Sequence, residues 1–190
     1  MRTLQDPAEA GAAMLAAERD RKLPQGPVER PKTVRIANVD DEPALFDLIC
    51  ADLRENAVKV APIDEDKVIR LLHMATRRTG GICGVIDGPD GVPVALTLMV
   101  CDTWYWSKQY FISGVIHYVA PEHRRSHHID DLLTFDRWTQ QSFEELFGYR
   151  TYLLSSVLGL TRVREKVNLW RRKFNQVGAL FLHPSPESTD

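Results

Sequence analysis

The tetrapeptide Gly88-Pro89-Asp90-Gly91 stands between two apolar runs, residues 82–86 and 92–100, and limits the folds open to this chain more than any other feature. Proline presets one turn φ, aspartate bonds its own backbone, and glycine accepts conformations closed to other residues, so the two runs predict a β-hairpin. A third run, residues 110–119, is β-branched and aromatic and stops before Pro121, which cannot donate into a ladder. Around these strands the periodicity is helical. Residues 33–37 alternate as a short strand, and Asp40 is placed to cap an amphipathic helix bearing Leu45, Leu48, Ile49 and Leu53. Asp64 opens a second helix, with Val68, Leu71, Leu72 and Ala75 on one stripe and Gly80-Gly81 at its end. A long helix over residues 128–147 comes next, with Leu132, Leu133, Leu146 and Phe147 as its inward face, Trp138 about half a turn away and Gly148 as its cap. A strand over 151–157, a helix over 161–174 and a strand over 177–182 complete the order β-α-α-β-β-β-α-β-α-β, without internal repeats.

Composition narrows the class. With 44% apolar and 26% charged residues, the 190-residue chain suits one globular domain. Lys plus Arg total 24 against 26 Asp plus Glu, so no overall field attracts nucleic acid or an anionic membrane. No apolar stretch approaches the ~20 residues of a membrane span, and residues 1–7 lack the apolar centre of a signal peptide, which predicts a cytoplasmic protein. Cys50, Cys83 and Cys101 are scattered in apolar surroundings with no C-x-x-C pair, the pattern of buried free thiols. Residues 1–32 differ from the rest. The Ala-rich, charged stretch 7–22 offers only Met14 and Leu15 as sizeable apolar groups, and Pro24, Pro27 and Pro31 break up residues 23–32, so an arm and a linker are expected.

The segment Tyr118-Val119-Ala120-Pro121-Glu122-His123-Arg124-Arg125 leads from a strand into a helix. With Trp104-Tyr105-Trp106-Ser107, His117-Tyr118-Val119, Leu132-Leu133, Phe135-Asp136-Arg137-Trp138, Leu169-Trp170 and Val177-Gly178, it resembles the GNAT superfamily of acyl-coenzyme A dependent N-acyltransferases, and within it the phage-encoded branch. The resemblance covers residues 33–182. It implies an α/β fold, a central mixed and mostly antiparallel sheet flanked by helices, with a domain over 33–183, an extended N-terminal arm and a tail over 184–190. For a phage-encoded member the location is host cytoplasm or virion.

In that family the loop after the fourth strand starts with Arg or Gln, carries glycine three residues on and a small residue two further, and holds the coenzyme diphosphate. Close backbone approach and the helix dipole supply the attraction. Here the leading residue is Arg124 and the two small positions are His127 and Ile129. The resemblance implies acetyl-CoA as cofactor, its diphosphate at Arg124, Arg125 and the main chain of Ser126, His127, His128 and Ile129, and its pantetheine at Val119. Asp130 and Asp131 in the next turn oppose an anion there. Acyl transfer to an amine also needs a base and an acid. The branch's strand glutamate corresponds to Gly114 and its helix tyrosine to Trp170, so His117 or Glu122 as base and Tyr118 or Tyr149 as proton donor are the candidates left. An inward-facing His117 satisfied by a hydrogen bond is the plainer reading of that residue.

Other clusters carry less. His123, His127 and His128 lie near Asp130 and Asp131, but no second ligand group accompanies them, and no metal is expected. Arg162, Arg164, Lys166, Arg171, Arg172 and Lys173 face away from an apolar stripe of Val163, Val167, Trp170 and Phe174, as a solvated helix face or as a local contact for an acidic partner or nucleic acid. Trp104, Trp106, Tyr110 and Phe111 cover a sheet edge or form a binding surface. Two function classes stay open: an N-acyltransferase acting on an unidentified amine, and a non-catalytic GNAT-fold assembly or virion protein that holds partners through residues 1–32, its aromatics and its basic helix.

Overall fold

The turn at residues 88–91 folds as its chemistry dictates. Gly88 and Gly91 donate N–H groups to the carbonyls of Val92 (2.8 Å) and Gly88 (3.0 Å), and Gly91 takes φ +80°, a value that favours glycine. A computed structural model of the chain describes residues 26–56, 62–149, 151–155 and 163–171. Residues 26–168 make one compact unit; the other comprises residues 1–25 and 169–190, of which 169–171 are described. The elements are β1 (Arg35–Ile36), a 3-10 turn (Val39–Asp41), α1 (Glu42–Asn56), α2 (Glu65–Thr76), β2 (Gly81–Asp87), β3 (Pro93–Thr103), β4 (Tyr110–Val119), a second 3-10 turn (Pro121–His123), α3 (His128–Phe147), β5 (Leu153–Ser155) and α4 (Val163–Trp170). The strands form a five-stranded sheet in the order β1-β2-β3-β4-β5, antiparallel except for the parallel β4–β5 pair.

Both faces of the sheet are covered. Leu45 and Ile49 of α1 and Val68, Leu72 and Ala75 of α2 pack with Leu96, Leu98, Ile116 and Tyr118 on one face. Leu132 and Phe135 of α3 pack with Ala95, Met99, Ile112 and Val119 on the other. β3 is buried on both sides, which explains its continuous apolar run. Gly84 admits α3 closely: a Cβ there would lie 2.6 Å from the Phe135 ring. The sequence expectations for the final strand, for residues 1–25 and 184–190, and for much of the basic helix fall outside the described residues.

Three local expectations are corrected. The first cap is Asn38, not Asp40: Asp40 donates its N–H to Asn38 Oδ1 (2.7 Å), while Asn38 donates its own to Asp41 Oδ2 (2.8 Å). α2 ends at Thr76, because Arg78 (φ +57°) already turns the chain, and Gly81 belongs to β2. Leu146 is 74% exposed rather than inward. Phe143 packs on the core and Phe147 stacks between Tyr110 (5.1 Å) and Tyr149 (5.7 Å), taking the contacts of the last turn. Trp138 meets Phe135 (5.3 Å) and carries the Arg30 guanidinium over its ring (5.8 Å). The segment before β1 is tied to the same helix, with Val28 N–H donating to Gln141 Oε1 (2.7 Å) and Gln141 Nε2 to the Gly26 carbonyl (2.9 Å).

Candidate functional site

β4 carries one residue too many for its partner. Leu98 pairs with Ile116 but Met99 with Gly114, so Val115 bulges out of the β3–β4 ladder and is 40% exposed. The bulge resets which residues face which helices. Beyond it Ile116 and Tyr118 point to α1 and α2, while Val119 joins the core beneath α3 and His117 reaches Asp136 of α3. On its other side β4 pairs in parallel with β5, Ile112 with Leu153, Ser113 with Leu154 and Gly114 with Ser155. From Val115 to Val119, β4 has no strand partner on its β5 side among the described residues. The bulge frees backbone donors and acceptors from the β3–β4 ladder at one defined point of the sheet.

On the α3 face, His117 Nε2 meets Asp136 Oδ2 at 2.5 Å, and Thr97 Oγ1 donates to Asp136 Oδ1 at 2.7 Å. The His117 side chain is 4% exposed and that of Asp136 is fully buried. Gly114 makes the room: a Cβ there would lie 2.7 Å from His117 Cε1. The imidazole thus fills the space a Gly114 side chain would need. Neither Asp136 nor Thr97 was singled out from sequence as a site residue. The available signal was an acidic residue inside the apolar stripe of the long helix, one residue after Phe135.

On the opposite face, Tyr118 stacks under Arg124, with the guanidinium 5.4 Å from the ring centre. Arg124 Nε donates to the Val119 carbonyl at 2.9 Å, and its two terminal nitrogens grip Glu55, the penultimate residue of α1, at 2.6 and 2.5 Å. That carboxylate raises the Arg124 pKa further, and burial together with Glu55 pushes the Tyr118 hydroxyl up. Glu55 is a further residue that sequence reasoning missed. At the frayed end of a predicted helix, nothing in the pattern tied it to a loop so far along the chain.

The loop joining β4 to α3 is a 3-10 turn followed by the helix N-cap His127, which makes no side-chain capping bond. Glu122, Arg125, Ser126 and His127 are exposed. Ser126 Oγ bonds the His123 carbonyl (2.5 Å) and accepts the His128 N–H (3.3 Å). His127 sits at φ −85°, a backbone that does not require glycine, and Ile129 packs toward the core under α3. Ile129, at the second small position of the loop, therefore turns its side chain toward the core. Of the four residues singled out as possible acid or base, His117 lies on the α3 face, Tyr118 on the α1–α2 face, Glu122 on the exposed turn, and Tyr149 just past α3, where its hydroxyl accepts the Tyr110 N–H (3.0 Å). Trp170 closes α4. His123 and His128 come within 6.2 Å ring to ring, and among the described residues no group of three His, Cys, Asp or Glu side chains converges as a metal site would require. Among the described residues no helix is long and apolar enough to cross a membrane.

The aromatic run lies at the far end of the same strands. Trp104 stacks with Trp106 (5.0 Å) and contacts Phe111 (4.6 Å), while Tyr105 is 94% and Trp106 64% exposed.

No family model matches the chain, and no curated protein matches it in sequence. Solved structures do. An aminoglycoside acetyltransferase from an uncultured soil metagenomic sample, in complex with trehalose, superposes with a TM-score of 0.56 at 14% identity, covering 83% of this chain and 99% of that one. An apo aminoglycoside 6'-N-acetyltransferase from Acinetobacter haemolyticus gives 0.54 at 13% identity, covering 80% and 97%. AAC(6')-Iy bound to a bisubstrate analogue, CoA-S-monomethyl-acetylneamine, gives 0.53 at 13% identity, covering 80% and 97%. At these identities the likeness is one of fold: the chain has the mixed, mostly antiparallel α/β architecture of the GNAT acetyltransferases.

Proposed function

We propose that this chain is an N-acyltransferase that moves an acetyl group from acetyl-coenzyme A to an amine. One observation carries the reading: the Val115 bulge interrupts β4 just before that strand runs into the Arg124 turn that enters α3. The residues present fit the coenzyme. Arg124 and Arg125 supply positive charge beside the α3 N-terminus, the exposed His127 backbone needs no glycine, and Ile129 is turned inward. Asp130 and Asp131 in the first turn of α3 stabilise that helix by about 0.3–1 kcal/mol each and repel an anion in the same field.

When bound, the coenzyme supplies an acyl group activated as a thioester. The chain's residues supply the setting. Arg124 and Arg125 bind phosphate, and Val119, whose carbonyl accepts from Arg124 Nε, lines the pantetheine. The bulge at Val115 frees backbone from the β3 ladder, where a carbonyl oxygen gaining charge would be stabilised by an N–H. His117 is the base of this reading, its ring orientation fixed by Asp136 and Thr97. Tyr118 is held on the other face, its hydroxyl kept protonated by burial and Glu55, as a proton donor must be.

The test is thermodynamic. Acetyl-coenzyme A at high micromolar concentration raises the melting temperature by mass action, and Arg124→Ala removes the rise. No rise in the unaltered protein overturns the reading. A second reading then takes its place: a non-catalytic assembly protein, favoured by the missing carboxylate at Gly114, the missing phenol at Trp170 and the exposed Tyr105 and Trp106. Virion assembly through residues 1–32 belongs to that reading, while phage origin belongs to either.

A further inference from the structure

The guanidinium that this site would offer to a phosphate is already holding an anion. We propose that Glu55 is an internal competitor for the anion site: its carboxylate takes the bidentate position on Arg124 that a phosphate takes when bound, and so sets the site's affinity. This inference rests on the reading of Arg124 as an anion-binding residue. Its basis is geometric. Both Glu55 oxygens meet both terminal nitrogens of Arg124, at 2.6 and 2.5 Å, which is the parallel pairing that guanidinium forms with carboxylate and with phosphate alike. Arg124 cannot swing freely to a second anion while keeping Glu55, because its Nε is fixed on the Val119 carbonyl and its plane lies over Tyr118. A phosphate must therefore displace the carboxylate or share its charge.

The exchange is feasible because the pair lies at the surface. Both side chains are 38% exposed, and an exposed ion pair contributes little in water, so a multiply charged phosphate outcompetes it. It is also selective. A carboxylate of one negative charge blocks weak monovalent anions while yielding to a diphosphate, which places a threshold on what the site accepts. Glu55 sits one residue before the end of α1 and Arg124 follows the 3-10 turn after β4, so displacement releases the end of α1 from that turn when an anion arrives.

The experiment is isothermal titration of coenzyme A, and separately of inorganic pyrophosphate, into the full chain and into Glu55→Gln, Arg124→Gln and the double variant, with circular dichroism to show that each folds. Glu55→Gln binds both anions about fivefold to tenfold more tightly than the unaltered chain, and the double variant loses the gain. If Glu55→Gln and the unaltered chain bind coenzyme A and pyrophosphate equally, the competitor role is overturned while the acyltransferase reading stands. If pyrophosphate shows the Arg124-dependent gain but coenzyme A binds neither protein, the competitor role stands and the acyltransferase reading falls. If no protein binds either anion, both fall.

Discussion

His117 on β4 and Asp136 on α3 join sheet to helix through a bond of 2.5 Å that water barely reaches. Thr97 completes the carboxylate's second oxygen, so every strong acceptor in this pocket faces a donor. Removing one partner leaves the other buried and uncompensated. Asp136→Ala is expected to lower stability by about 3–5 kcal/mol, and His117→Ala by a similar or smaller amount. Urea unfolding of both single variants and the double one checks this. A double-mutant cycle with no coupling between the two positions would show that the bond is incidental.

Much of the sheet was legible because its signals are local. The turn at residues 88–91, the run ending before Pro121 and the glycine after Phe147 each act within a few residues, and β4 and α3 occupy the spans that the pattern predicts. The site was legible only in part. His117 stood out as a histidine on a predicted strand, but its partner Asp136 is brought to it by the packing of α3, and the face it points to depends on an extra residue at Val115 that no periodicity marks. Glu55 and Arg124 are separated by most of the sheet along the chain, and only the fold makes them neighbours. Side-chain direction was the other gap. Ile129 stands at a small position of a loop motif, yet its side chain is part of the α3 packing surface, which no sequence pattern shows.

Acid should expose the clamp between β1 and the start of α1. Arg35 donates to Asp41 (2.7 Å, twice) and to Asp87 (2.6 and 2.7 Å), and this holds the Asp41 carboxyl below its ordinary value of 3.8. A carboxyl depressed in the folded state contributes stability above its unfolded pKa, and that contribution fades as pH falls from the unfolded value through the folded one. Asp41→Asn is therefore expected to cost about 1–2 kcal/mol at pH 7, where the cap and the ion pair are both intact, and progressively less below pH ~4. Urea midpoints for both proteins between pH 7 and pH 3 should converge. A constant gap across that range would refute the linkage.

The thiols should divide by burial. Cys83 and Cys50 are enclosed, Cys101 is half-buried, and burial raises the pKa of all three, so the reactive thiolate is scarce everywhere. Iodoacetamide at pH 8 is expected to label the native protein slowly and at Cys101, with Cys50 and Cys83 reacting only after unfolding. Peptide mass spectrometry after timed labelling distinguishes the sites. Native modification of Cys83 at a rate comparable to that of Cys101 would contradict the packing beneath α1 and α2.

Two glycines hold space that a single methyl would close, and they should behave differently. At Gly84 a Cβ would stand 2.6 and 2.7 Å from two atoms of the Phe135 ring and 3.1 Å from a Thr97 methyl. Phe135 is fully buried, so the ring has nowhere to go without moving α3. At Gly114 the near atom belongs to His117, 2.7 Å away, whose ring is bonded to Asp136. Overpacking of a tight core costs about 1–3 kcal/mol. Gly84→Ala should show that loss while leaving the His117 imidazole signals of a nitrogen-15 NMR spectrum near their original positions, whereas Gly114→Ala should shift them. Equal spectra for the two variants would mean that the imidazole is not seated against Gly114, and the geometry assigned to the base would need revision.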